Sequence, residues 1–301
     1  DVWAGKGYVP EGELITSVDI VSNAVNVDRE TGEFLGETAD DGVQVLYSGH
    51  TLVDNNLIAN SGVAYDGEGD GAKIVCYGDC GGSGSVDVYD ADGIHVMTGG
   101  LRSLAREFVS MDYPSYYPWT DVTVTNNVVT NSLDDGIAVD GASQVLVDAN
   151  VVTNVGNDGI RVLGFEGYYG FDKVAGPQVS LLSEVSLPSW SAVITNNTVA
   201  QTSEEPSGAD GIEVSGYDEI YVADNAVSNF AENGLFVSGP SNGYVTVEGN
   251  TFSDNDIGAH FQSGLIDLTG RGNRFERGRV GLRFAPIEMY YPTFYEVEIE
   301  P

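Results

Sequence analysis

Lysine is almost missing from these 301 residues: only Lys6, Lys73 and Lys173 occur, and the cationic side chains number 12 against 46 acidic ones. The formal net charge of −34 repels nucleic acid and anionic lipid, so DNA, RNA and lipid-surface partners are excluded. Cysteine is equally scarce. Cys76 and Cys80 stand alone in the run Cys-Tyr-Gly-Asp-Cys. Two thiols without a nearby histidine fall short of the four ligands of a structural zinc site, which leaves a local disulfide closing a very small loop, or free thiols. No apolar run reaches 18 residues and no charged-then-apolar leader opens the chain, so neither a membrane span nor a signal peptide is read. The chain opens on Asp rather than Met, as a mature or excised segment would. Its acidity fits an extracellular or cell-surface protein that collects calcium or works in salty water, and equally one kept soluble by self-repulsion.

Repetition is what the sequence has in abundance, and it decides the fold. An Asn followed by a short, mostly β-branched or aromatic pair recurs at Asn23, Asn56, Asn127, Asn150, Asn197, Asn225, Asn250 and Asn273. Downstream of each, a Gly opens a strand: Gly42, Gly93, Gly136, Gly159, Gly211, Gly234, Gly258 and Gly281, usually after Asp. From Asn127 to Gly136 is 9 residues and from Gly136 to Asn150 is 14, so the minimal unit is 9 + 14 = 23. A unit this short holds three brief strands, buries no face alone and must stack on its copies. Strict alternation in Ile137-Ala138-Val139 and Ile160-Arg161-Val162 turns the β-branched residues inward and the middle residue outward. The Asp-Gly corners are expected to supply the unusual dihedrals of a sharp turn, and the aligned Asn residues an internal hydrogen-bonded ladder. The result is one all-β solenoid domain over residues 1–301, about eight coils long. No amphipathic cap helix is evident at either end, so a piece of a longer chain is expected, with open coil edges that invite self-association.

The repeat is interrupted in two places per coil only. Between Asn and the Gly strand, residues 26–40, 61–91 and 203–209 enlarge the coil; between the Gly strand and the next Asn, residues 99–118 and 164–188 do so. Both sets border the sheet made by the Gly strands. The first set is acidic and Gly-rich, and its alternating Asp66, Glu68 and Asp70 suit a wrapped calcium ion, the one cofactor suggested, or else a solvated acidic loop. The second set is aromatic: Tyr113, Tyr116, Tyr117 and Trp119 in one loop, Tyr168, Tyr169 and Trp190 in or beside the other. Such rings either pack a loop onto the solenoid or offer a sugar-stacking or protein-contact surface. Between the two edges, the outward residues of the Gly strands read Gln44, His95, Ala138, Arg161, Glu213, Phe236, His260 and Arg283 down the stack. This mixture of titratable and aromatic types suggests a groove.

The pattern Asn-x-Val…Asp-Gly-Ile-x-Val-x-Gly resembles the right-handed parallel β-helix repeat of pectate-lyase-like enzymes, alginate epimerases and many bacterial surface proteins, from about Ser17 to Phe284. The late run from Asp267 to Phe284 is similar to the late coils of secreted adhesin and autotransporter passengers. Resemblance to polygalacturonase-like members implies acid and base carboxylates at Asp92, Asp134 and Asp135, with Asn157-Asp158-Gly159-Ile160-Arg161 similar to a substrate-binding Arg strand. Leu163 stands where that strand carries Lys, and the family's Gly-His-Gly coil is absent. A uronate lyase or epimerase needs a base near a carboxylate-neutralising cation, roles open to His95 and Arg161 with Asp134, Asp135 or Asp158 holding calcium. Such a polyanionic substrate would meet a polyanionic protein. Lone histidines such as His50, His95 and His260 are ordinarily surface residues.

The leading expectation is therefore a surface β-helix scaffold of adhesin or passenger type, contacting a glycan, a surface protein or its own copy. The alternative is a polysaccharide hydrolase or lyase working from Asp92, Asp134, Asp135 and Arg161, with His95 and Glu213 in the groove. If the acidic loop holds calcium, the chelator-treated chain gains about 2.7 kcal/mol of stability at 100 Kd of added calcium. The gain is read as a raised melting temperature and disappears when Asp66→Asn and Asp70→Asn are combined.

Overall fold

A computed structural model describes residues 17–36, 41–46, 48–61, 91–98, 120–164, 190–203, 206–238, 243–263, 266–286 and 296–300. Among these residues there is no helix. Three parallel sheets form instead, each collecting one strand per coil. Sheet I has nine strands, from Ser17–Val21 to Glu296–Glu300; sheet II has eight, from Ala24–Val25 to Arg274–Glu276; sheet III has eight, from Val43–Leu46 to Val280–Pro286. Sheet III is built from the Gly strands. The expected stack of about eight coils is what forms.

Register explains why the coils hold. Each strand pairs residue for residue with its counterpart one coil away, so equivalent side chains lie one above another at the ~4.8 Å spacing of paired strands. In sheet II, Val129, Val152, Val199, Val227 and Phe252 make one such column, each at most 1% exposed. Val124, Val147, Ile194, Val222 and Val247 form its counterpart in sheet I, and Ile137, Ile160, Ile212 and Leu235 in sheet III. Branched side chains stacked on their own kind fill the bore without polar atoms.

The Asn ladder is present and runs the length of the stack. Backbone N–H and Nδ2 of Asn127 both donate to Oδ1 of Asn150, at 2.9 and 3.0 Å, and Asn150 donates in the same way to Asn197. The row extends from Asn23 through Asn56 to Asn273. From Asn56 onward each Nδ2 also reaches a carbonyl of the preceding coil, as Asn150 does to Val124 at 2.9 Å. The buried amides are thereby satisfied.

The corner dihedrals fall elsewhere than expected. The Gly that opens each sheet III strand is not left-handed; one row of left-handed residues immediately precedes the ladder Asn, at Ser22, Asn55, Asn126, Ala149, Asn196, Asp224, Gly249 and Gly272, with φ between 55° and 68°. A second row falls at or just past the ends of the sheet II strands, at Asn26, Asn60, Asn131, Asn154, Asn229, Asp254 and Arg277. Asn, Asp and Gly tolerate that region best. Glycine after Asp answers a different need. A Cβ on Gly159 would lie 2.1 Å from Val199 Cγ1 and 2.5 Å from the Gly211 carbonyl oxygen, so the next coil's floor passes where a side chain would stand.

Two substitutions separate room from conformation. Gly159→Ala should lower stability by about 3 kcal/mol or more, the upper end of overpacking penalties. Gly281→Ala, whose new Cβ meets nothing closer than 3.6 Å, should change it by under about 1 kcal/mol. Urea unfolding of both variants is the measurement, and equal effects would refute the steric account.

Candidate acid and base cluster on sheet III

Sheet III carries a second ladder that the repeat pattern did not announce. Asp92 N–H donates to Asp41 Oδ1, Asp135 N–H to Asp92 Oδ1, Asp158 N–H to Asp135 Oδ1, and Asp210 N–H to Asp158 Oδ1, all at 2.9 or 3.0 Å. Asn233 closes the row by donating to Asp210. The Asp of the Asp-Gly corner is thus a repeated acceptor rather than a plain turn residue. One oxygen of each carboxyl is spent on this row. In Asp41 and Asp92 the other faces the outward residue three positions on, Gln44 and His95, because a corner followed by a strand brings residues i and i+3 to one side; in Asp135 it faces Arg161 of the next coil.

The outward column has the expected register, with Gln44, His95, Ala138, Arg161, Glu213, Phe236, His260 and Arg283 as successive partners. Its exposure differs from an open groove floor. His95 is 1% and Ala138 0% exposed, whereas Arg161, Glu213, Phe236 and His260 are half-buried and Arg283 is exposed. His95 is therefore no surface histidine. Of the other two, His50 is exposed and pairs with Asp121, while His260 lies 5.1 Å from the Phe236 ring.

Ala138 leaves space that its neighbours use. Arg161 reaches back one coil, donating through Nε to Asp135 Oδ2 and through Nη1 to Asp140 Oδ1 at 3.3 Å. Asp140 lies in a second outward column, in register with Met97, Leu163 and Ser215. Its other oxygen is 3.4 Å from His95 Nε2, so one carboxylate bridges two cations of alternate coils. His95 Nδ1 faces Asp41 Oδ2 at 3.4 Å and Asp92 Oδ2 at 3.7 Å. Oxygens of Asp92, Asp134 and Asp135 also converge within 4.8 Å.

Among the described residues two cations face this many carboxyls in a low dielectric and cannot balance them, so some keep their protons. Burial, reinforced by the charges of Asp135 and Glu213, pushes Asp158 up to about 9. Burial raises Glu213 as well, against the opposing pull of its contact with Asp158 and of the Arg161 charge. Burial and the charge of Asp135 raise Asp92. Asp210 is pushed by burial to about 6 although Asn233 hydrogen bonds hold it down. For His95 and Arg161 burial acts the other way and is outweighed: contacts with Asp140 and Asp41 hold His95 well above its usual value, and the charges of Asp140 and Asp135 raise Arg161.

The structure thus brings together Asp92, Asp134, Asp135, Arg161, His95 and Glu213. Trp190 stands at the neighbouring edge, packed against the core with its ring 6.3 Å from that of buried Tyr217. Tyr113, Tyr116, Tyr117, Trp119, Tyr168 and Tyr169 lie outside the described residues, as do Asp66, Glu68, Asp70 and the pair Cys76 and Cys80. Asp41, Asp140 and Tyr217 were not anticipated. Asp140 is legible in the sequence from the second outward column, Met97, Asp140, Leu163 and Ser215, which lies two residues beyond the first.

A family model described as a right handed beta helix region matches residues 175–285. Among solved structures, the full-length tailspike protein 2 of Escherichia coli O157:H7 bacteriophage CAB120 is similar at 12% identity and a TM-score of 0.39, over 86% of this chain and 37% of that one. The chain therefore spans well under half of that tailspike's length. No curated protein matches. The fold is that of a right-handed parallel β-helix.

The proton on Asp158 has a measurable consequence. The unfolded carboxyl releases its proton near pH 4, the folded one at about 9. The stability it contributes is therefore complete below about pH 4 and is lost as pH rises through about 9. Asp158→Asn keeps an acceptor for Asp210 N–H, as Asn does elsewhere in ladder positions. It should flatten the pH dependence over that window and stabilise the chain at pH 8 by on the order of 1 kcal/mol or more, with little effect at pH 4. Melting curves across pH decide it.

Proposed function

We propose that sheet III is a glycan-processing surface, on which a neutral, hydroxyl-rich polysaccharide is bound and hydrolysed by acid and base catalysis. The observation that carries this reading is the carboxyl pair of Asp158 and Glu213 beside Arg161, in which one member holds its proton to about 9. Glycoside hydrolysis needs one carboxyl that donates a proton to the leaving oxygen and another that remains ionised. Glu213, half-buried and outward, is the donor that a sugar would meet, with Asp158 behind it. Arg161 orients hydroxyls, and half-buried Asp134, which converges with Asp92 and Asp135, is the candidate for the second carboxylate. A neutral substrate follows from charge: the chain is at −34, and among the described residues the cluster holds only His95 and Arg161 as cations. Perturbed carboxyls cluster at functional sites. An extracellular or cell-surface address accords with the acidity and scarcity of Lys.

Burial of Asp92, His95 and Asp135 favours a second reading, a scaffold whose polar network only ties coils together while its edges hold a glycan or a surface protein. One experiment separates the two. Product release from a panel of neutral and acidic polysaccharides is measured as new reducing ends. Turnover of a neutral glycan should fall by about 100-fold or more in Glu213→Gln and in Asp158→Asn, the usual size of a lost general acid. Because Asp158→Asn is expected to stabilise the fold, its loss of turnover has no unfolding explanation. Glycan binding without product release would overturn hydrolysis and leave the scaffold.

A further inference from the structure

We infer that Asp41, Asp92 and His95 form a binding site for a divalent first-row transition-metal ion, with His95 Nδ1 and one carboxylate oxygen of each aspartate as its protein ligands. This inference stands apart from the glycan reading, since it rests on the first two coils and on different atoms.

Three observations meet here. The donor atoms lie within 4.8 Å of one another, and the residues are 4%, 0% and 1% exposed, respectively. Their spacing is too long for hydrogen bonds: Nδ1 stands 3.4 Å from Asp41 Oδ2 and 3.7 Å from Asp92 Oδ2, against an N–H···O range of about 2.7–3.2 Å. It does suit ligands of one ion, because bonds of about 2.1 Å at tetrahedral angles separate ligand atoms by about 3.4 Å. Finally, Asp92 Oδ2 and both ring nitrogens of His95 are fully buried with no hydrogen-bond partner. Such groups are rare in native interiors and call for an occupant or a role.

The surroundings hold the donors in place. Asp41 Oδ1 accepts the Asp92 N–H and Asp92 Oδ1 accepts the Asp135 N–H, both at 2.9 Å, which leaves each Oδ2 turned toward the imidazole. Gln44 Nε2 donates to Asp41 Oδ2 at 2.7 Å. On the far side of the ring, Asp140 Oδ2 stands 3.4 Å from Nε2. A carboxylate behind a ligating histidine is the usual support for such a ring.

Donor type selects the ion. One imidazole nitrogen with two carboxylate oxygens suits zinc, cobalt, iron or manganese, while calcium takes six to eight oxygens and copper(I) prefers sulfur. The neighbouring set Asp92, Asp134 and Asp135 is less suited, because Asp135 Oδ2 already accepts from Arg161, whose charge opposes a cation. An ion at the histidine site would join residue 41 of one coil to residues 92 and 95 of the next.

The test uses the full chain, stripped with chelator and titrated with Co2+ alone and with Zn2+ alone. One equivalent of Co2+ should produce the visible absorption of a four-coordinate ion, Zn2+ should displace it and raise the melting temperature, and a large excess of Ca2+ should do neither. His95→Gln and Asp92→Asn should each weaken binding by more than about 100-fold, and Asp140→Asn by about 10–100-fold, the range for a supporting carboxylate. Asp134→Asn should leave it unchanged. Absence of one-to-one binding overturns the proposal. So do bands that persist in both His95→Gln and Asp92→Asn, or that vanish only in Asp134→Asn. Circular dichroism of each variant separates lost binding from lost folding, and Asp92→Asn keeps the ladder acceptor.

Discussion

In-register stacking of identical side chains between successive coils is the constraint from which the rest of this structure follows. A parallel strand pair fixes height but not the identity of what lies above what. The buried Asn row adds that identity, because its amide oxygen accepts two hydrogen bonds from the coil before while its nitrogen donates to the coil after and to a carbonyl. A slip of one residue would strand every amide in an apolar bore, at roughly 1–3 kcal/mol for each unsatisfied group. The same registry places Val over Val, Gly under the carbonyl of Gly, and acidic residues over acidic residues. The last of these is unfavourable in isolation, and the protein has it nonetheless.

The two ladders contrast in what they tolerate. Along the Asn corner the groups are neutral and complete. Along the Asp corner each carboxyl has one oxygen in the row and one left over, and the leftover oxygens collect on a single outer face of sheet III. A solenoid needing only mechanical continuity has an amide solution at hand, and Asn233 shows that the Asp row accepts one. Burying carboxyls through the coils of Asp41 to Asp210 opposes folding, and the chemistry they acquire there is the argument for a site.

Much of this was legible in the sequence, and the gaps have physical causes. The period of 23, the three sheets, the Asn ladder and the outward column from Gln44 to Arg283 followed from spacing and alternation, which report periodic constraints faithfully. The juxtaposition of His95, Arg161 and Glu213 followed from that column, whereas Asp92 and Asp135 were pointed to by the resemblance to polygalacturonase-like members. The Asp row followed from neither, because Asp before Gly reads as turn chemistry and its hydrogen bond runs between residues some 23 to 52 apart. The role of the corner glycines was misassigned for a related reason: a letter shows that no side chain is tolerated, but not whether torsion or a neighbouring coil forbids it. Burial of His95 is a property of what surrounds the outer face, which strand periodicity does not report.

Ala138 is the smallest member of the outward column, and its missing atoms shape the chemistry on both sides. Because nothing larger stands there, Asp140 faces His95 in one direction and Arg161 in the other. A single carboxylate shared by two cations makes their environments interdependent: whatever changes the charge or position of one alters the field felt by its counterpart two coils away. Ligands that met His95 at one end and Arg161 at the other would thereby be thermodynamically linked, and the linkage would be reciprocal. A methyl group in the middle of a strand thus acts as a window between two otherwise separate sites.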